Sequence, residues 1–178
     1  GQSFRDLLAG KLPGCPGERA TLSDWNNHLT TLFPDVRLKR YIEMRGADAG
    51  PWRTLTALPA LWVGLLYDGA ALDAAWDLVK DWTAEERQAL RDGVPRTALA
   101  TPFRNSTVRD IAREMLAISR SGLTARKRFN ADGVDEGIYL EPLAETVASG
   151  KTPAERLLDE YETVWKHDIG EVFRRHAY

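Results

Sequence analysis

One segment of this chain alternates, and it is the only one that does. From Val36 to Arg45 the residues read Val-Arg-Leu-Lys-Arg-Tyr-Ile-Glu-Met-Arg. Successive side chains of a strand point to opposite faces. Leu38, Ile42 and Met44 therefore share one face, and Arg37, Lys39, Tyr41, Glu43 and Arg45 share the other. Gly46 and the pair Gly50-Pro51 end the segment abruptly. A lone strand leaves its backbone donors and acceptors unpaired, so it needs a partner. The rest of the chain reads as helices. The pattern predicts a mainly α (α+β) chain whose one strand joins a sheet supplied from elsewhere; in isolation Arg37 to Arg45 is disordered or pairs with a copy of itself.

The helical reading rests on caps and spacing. Ser3 caps a short helix through Ala9, and Thr21 or Ser23 caps a second that carries Trp25, Leu29 and Leu32 until Pro34 stops it. Pro51 suits the first turn of a helix over Trp52 to Tyr67, with a bend at Pro59. Leu72, Trp76 and Val79 line up on a helix from Ala70 to Trp82. Thr83-Ala84-Glu85-Glu86 is a capping box that opens a helix to about Asp92. Ser106 or Thr107 opens a long helix past Leu123, striped by Ile111, Met115 and Ile118. Pro142 to Ser149 is closed by Gly150, a second capping box at Thr152 and Glu155 starts the next helix, and a last one spans Ile169 to Arg175. Trp25, Trp62, Trp76, Trp82 and Trp165 read as core, with the helices from Trp52 onward packing around Trp62, Trp76 and Trp82.

The charged strand face is where chemistry is to be sought. A Glu and an Arg two apart sit side by side, and together they can hold a metal ion and an anion, as phosphoryl chemistry requires. The same pattern also describes a surface ion-pair strip, which contributes little. Asp48 is placed to cap the helix that begins near Pro51. His28, His167 and His176 have no metal-ligand spacing, and no glycine motif cradles a phosphate.

Composition narrows the rest. A net charge of −2 gives no electrostatic case for nucleic acid or an anionic membrane. No apolar run approaches the ~20 residues of a membrane span. A single cysteine, Cys15, excludes an internal disulfide framework. With no signal-peptide pattern at the start, it predicts a reducing, cytoplasmic setting.

The wording of the alternating segment is specific. Tyr41-Ile42-Glu43-Met44-Arg45-Gly46-Ala47-Asp48, followed by Gly50-Pro51-Trp52, resembles the signature strand of glutamate–cysteine ligases of the plant and alphaproteobacterial type. The resemblance runs through Leu22-Ser23-Asp24-Trp25, His28 to Pro34 and Ala57 to Asp68. It resumes at Asp81-Trp82-Thr83, Val94-Pro95-Arg96, Thr101-Pro102-Phe103-Arg104, Gly150 to Glu155 and Trp165 to Phe173. It is weakest from Phe129 to Gly137.

The resemblance implies the helical carboxyl-terminal part of a glutamine-synthetase-like carboxylate–amine ligase, with residues 1–178 forming part of a single catalytic domain. The strand would be one of the catalytic antiparallel sheet, and an amino-terminal part would supply the others. The implied activity is ATP-dependent joining of the γ-carboxylate of glutamate to the amino group of cysteine through a γ-glutamyl phosphate, which is a step of glutathione biosynthesis. By this resemblance Glu43 is a magnesium ligand, and Arg45 holds the transferring phosphate or a substrate carboxylate. Tyr41 and Trp52 either border the substrate or pack. The implied partners are ATP, Mg²⁺, glutamate, cysteine and the missing part or a self-copy, with no nucleic acid and no membrane. Two other readings stand beside it: a ligase of the same superfamily with a different acceptor amine, and a catalytically silent helical module. The isolated chain is expected to be inactive.

Overall fold

A computed structural model describes residues 2–177, which fall into two compact units divided between Asp48 and Ala49. In the first unit, α1 (Phe4–Leu8) starts at Ser3, whose hydroxyl accepts the Arg5 N–H. The next helix, α2 (Leu22–Thr30), opens with a reciprocal box. Thr21 Oγ1 accepts from the Asp24 N–H, and Asp24 Oδ2 accepts from the Thr21 N–H at 2.8 Å. The Phe4 ring stacks on His28 with centroids 4.5 Å apart, and Trp25 closes the cluster 5.3 Å from Phe4. A hairpin follows, made of β1 (Val36–Leu38) and β2 (Ile42–Met44).

The second unit is helical. Its first two helices, α3 (Trp52–Leu66) and α4 (Gly69–Val79), turn through 93° between them. Then come α5 (Ala84–Thr97), a two-rung hairpin of β3 (Pro102–Phe103) and β4 (Ser106–Thr107), and the long α6 (Val108–Ala125). A 3₁₀ turn over 136–140 leads into α7 (Glu141–Ser149), α8 (Pro153–Thr163) and α9 (Gly170–Arg175). Thr83 with Glu86, Thr107 with Asp110 and Thr152 with Glu155 form three full capping boxes. Each satisfies amide donors that a helix start leaves orphaned. No described helix is long and apolar enough to cross a membrane by itself.

The core lies where α3 crosses α6. A Cβ added to Gly122 would lie 2.0 Å from the Gly64 carbonyl oxygen, so the two backbones touch. Ser119, fully buried, donates its hydroxyl to the Leu61 carbonyl at 3.0 Å. Ala60, Leu123 and Leu140 form the buried cluster, with Leu61, Val63 and Leu116 packed around it.

Four expectations change. The core is not built around tryptophans: Trp76 is 62% exposed and Trp25 is 43% exposed, Trp62 and Trp82 are half-buried, and of the expected set only Trp165 is buried. Helices that cross on glycine leave no room for an indole between them. The expected helix end near Asp92 is passed, because Pro95 lies inside a helix that continues to Thr97. Asp48 does not cap α3, whose N-cap is Pro51 with no side-chain bond. Lastly, the single expected strand is a hairpin within one chain. Folding back pairs the backbone locally without a second segment or a second copy.

Candidate functional site

The hairpin turns at Lys39-Arg40-Tyr41, where the Lys39 N–H donates to the Tyr41 carbonyl at 2.8 Å. Its open end is closed by the Arg45 N–H, which donates to the Asp35 carbonyl at 2.9 Å. The register pairs Val36 with Met44, Arg37 with Glu43 and Leu38 with Ile42. Directly opposed residues share a face. Val36, Leu38, Ile42 and Met44 thus lie on one face and Arg37 with Glu43 on the other, which keeps the apolar set that the alternation defines. Tyr41 and Lys39 leave that alternation, because they sit in the turn.

Arg37 meets Glu43 across the two strands. Arg37 Nε donates to Glu43 Oε2 at 2.6 Å, with about a third of each side chain exposed. The hydrogen bond from Arg37 holds the Glu43 carboxyl below its ordinary 4.5, and the positive charges of Arg37, Lys39 and Arg45 act in the same sense. Partial burial opposes them. Glu43 is therefore a carboxylate at neutral pH, with one oxygen engaged.

Arg45 is arranged differently. Its guanidinium carbon lies 5.7 Å from the centroid of the Phe33 ring. Its Nη1 is enclosed and has no hydrogen-bond partner among the described residues. An enclosed cationic donor without an acceptor is costly, and an anion would relieve it. Of the pair expected to carry chemistry, one member is engaged by a neighbour and the other presents an unsatisfied donor.

The remaining expected residues are exposed. Tyr41 is 60% exposed in the turn, and Trp52 is 77% exposed as the first residue of α3, in the second unit. Among the described residues, no three His, Cys, Asp or Glu side chains group to hold a metal ion. Glu43 suits Mg²⁺ as one hard oxygen ligand, since that ion commonly takes one or two carboxylates and completes its shell with water and phosphate. The residues here fit a share of such a site, not the whole of it.

Arg37 as the partner of Glu43 is the feature that alternation missed. On a single extended strand Arg37 and Glu43 are six residues apart and far from contact. Only the turn at 39–41 brings them together, and that turn contains none of the Gly, Asn or Asp that mark short hairpins.

The hairpin thus sets an ionised glutamate two residues from an arginine with an unpaired donor. The chain belongs to glutamate–cysteine ligase family 2, whose family model matches residues 3–175. It is 55% identical, over all 178 of its residues, to glutamate–cysteine ligase A, chloroplastic, of Oryza sativa subsp. indica, and covers 35% of that protein. It is 53% identical over 173 residues, 97% of its length, to glutamate–cysteine ligase, chloroplastic, of Medicago truncatula, and covers 33% of it. The corresponding Arabidopsis thaliana protein is 51% identical over 178 residues, again with 33% of its length covered. The chain thus spans about a third of the curated relatives it matches. The resemblance read from the signature strand is borne out over nearly the whole chain. The expected cytoplasmic location is overturned by these relatives, which are named chloroplastic.

Proposed function

We propose that this chain is the carboxyl-terminal portion of the catalytic domain of a ligase that joins glutamate to cysteine at the expense of ATP. A γ-carboxylate oxygen of glutamate attacks the terminal phosphorus of ATP, and ADP leaves. The amino group of cysteine then attacks the acyl carbon, phosphate leaves with the bonding electrons, and a proton is lost from nitrogen. The first bond formed is O–P and the second is N–C, so the product is a γ-amide.

In this reading Glu43 is one ligand of Mg²⁺, which when bound neutralises phosphate charge. Arg45 holds the transferring phosphoryl group or a substrate carboxylate through its guanidinium fork. The Phe33 ring lies beside that guanidinium, 5.7 Å from its central carbon. Tyr41 is exposed in the hairpin turn and available to line the substrate. The rest of the ligand set comes from the portion of the enzyme outside this chain.

The observation that carries this reading is the enclosed, acceptor-free Nη1 of Arg45, two residues from an ionised Glu43. The test is to make Glu43→Gln and Arg45→Ala in the complete ligase that contains this segment. Each should lower turnover by ~10²–10³, the cost of removing one transition-state charge contact. Near-normal turnover in either variant would remove that residue from the site. The ion pair with Arg37 favours a second reading, in which Glu43 only braces the hairpin. That reading predicts lost stability with turnover preserved in the variant that still folds.

A further inference from the structure

We propose that Arg37 is a positioning residue that aims the Glu43 carboxylate at the cation, an inference that rests on the reading of Glu43 given above. Three observations support it. The register places Arg37 directly opposite Glu43, so their side chains share a face whatever their rotamers. Contact is made end-on, through Nε to Oε2 alone, at 2.6 Å. Among the described hydrogen bonds Oε1 takes no part, so it is the oxygen left to face a cation.

The hairpin explains why such a brace is needed. Among the described residues its sheet has two strands. A glutamate has three side-chain torsions, and with about a third of this side chain exposed, packing leaves them partly free. A guanidinium across the rung removes most of that freedom while leaving one oxygen open. This is the work that hydrogen-bonded partners of metal-ligating carboxylates perform elsewhere, where their loss commonly weakens metal affinity or activity by ~10–100-fold.

The opposite role is also definite. If Arg37 merely occupies Glu43 until a metal displaces it, its removal should tighten metal binding. The sign of the effect therefore separates the two roles.

The experiment uses the complete ligase carrying this segment, with Mn²⁺ alone as probe and the free ion followed by electron paramagnetic resonance. Glu43→Gln first identifies which bound Mn²⁺ depends on this strand. For that ion, Arg37→Gln should weaken binding by ~10–100-fold and Arg37→Lys by less. In kinetics the metal concentration for half-maximal rate should rise by a larger factor than the turnover number falls. Unchanged or tighter Mn²⁺ binding in Arg37→Gln, with Glu43→Gln losing the ion, would overturn the inference and leave the role of Glu43 standing. If Glu43→Gln keeps every Mn²⁺ and its turnover, the reading of Glu43 fails and the inference with it. Should Arg37→Gln not fold, Arg37→Lys decides by the same criterion: weaker binding supports the role, and unchanged binding overturns it.

Discussion

Arg104 grips Glu86 with two parallel hydrogen bonds, Nε to Oε1 at 2.7 Å and Nη2 to Oε2 at 2.8 Å. The same Nη2 also donates to the Asp81 carbonyl at 2.7 Å. One guanidinium thus ties the β3–β4 turn to the start of α5 and to the segment before it. Arg104 adopts a left-handed backbone, φ 51°, to reach this position. Glu86 is also the closing member of the Thr83 box, its Oε2 accepting the Thr83 N–H at 2.9 Å.

This double use makes the second unit acid-sensitive. The hydrogen bonds from Arg104, then that from Thr83, pull the Glu86 carboxyl from 4.5 down to about 2. The folded state therefore binds this proton less tightly than the unfolded chain. The resulting stability is complete above about pH 4.5 and is lost as the pH falls through about 2. Thermal melts between pH 5 and pH 2 should show a steeper acid limb for the wild type than for Glu86→Gln. Parallel limbs would disprove the role.

The crossing of α3 and α6 tolerates no added atom. Gly122→Ala would set a methyl group 2.0 Å from the Gly64 carbonyl oxygen and 2.9 Å from the Ala71 Cβ. The helices must part, at a cost of ~1–3 kcal/mol or more. Urea unfolding should show a clearly lower midpoint at unchanged slope, whereas Gly69→Ala, where a Cβ meets nothing within 4 Å, should be nearly neutral. Equal midpoints for the two variants would refute the close-contact account.

Arg109 closes the far end of α7. Its Nε donates to the Val147 carbonyl at 2.7 Å and its Nη2 to the Ala148 carbonyl, beside the left-handed Gly150. Helix C-termini leave such carbonyls unpaired unless a donor reaches them. Arg109→Met, which keeps the apolar stem, should cost ~1–2 kcal/mol in denaturant unfolding. It should also speed amide exchange in the last turn of α7. Unaltered exchange there would show that the bonds do not hold that turn.

The sequence made local signals legible and hid contacts that depend on distance. The boxes at Thr83 and Thr152 are visible because every atom involved lies within four residues. Gly150 closes α7 as its spacing indicates. The stripe of Ile111, Met115 and Ile118 runs on the helix it predicts. The hairpin was hidden because Lys39-Arg40-Tyr41 gives no turn signal, so two three-residue strands read as one long strand. The core was hidden for a related reason. Tryptophans advertise burial, but the closest packing here belongs to Gly64, Gly122 and Ser119, which advertise nothing. At the site, Glu43 and Arg45 stand out through their motif, whereas Arg37 joins them only through the fold of the ribbon.

A purified 178-residue chain should release no phosphate from ATP in the presence of glutamate and magnesium. One candidate ligand carboxylate stands on the hairpin, and the described residues offer no group of three that would hold an ion. Phosphoryl transfer draws on several groups around the metal and the nucleotide. A colorimetric phosphate assay at high protein concentration is sufficient. Glutamate-dependent release above the rate with Glu43→Gln would show that the chain carries a complete site.

Backbone contact between α3 and α6 has a mechanical consequence. Most helix pairs are separated by a layer of side chains, which can change rotamer and let one helix slide past the other. Here, around Gly64 and Gly122, there is no such layer to yield. Sliding or rolling would drive a carbonyl oxygen into the opposite main chain, so the two helices move as a single lever. Bending of this unit therefore falls outside that crossing.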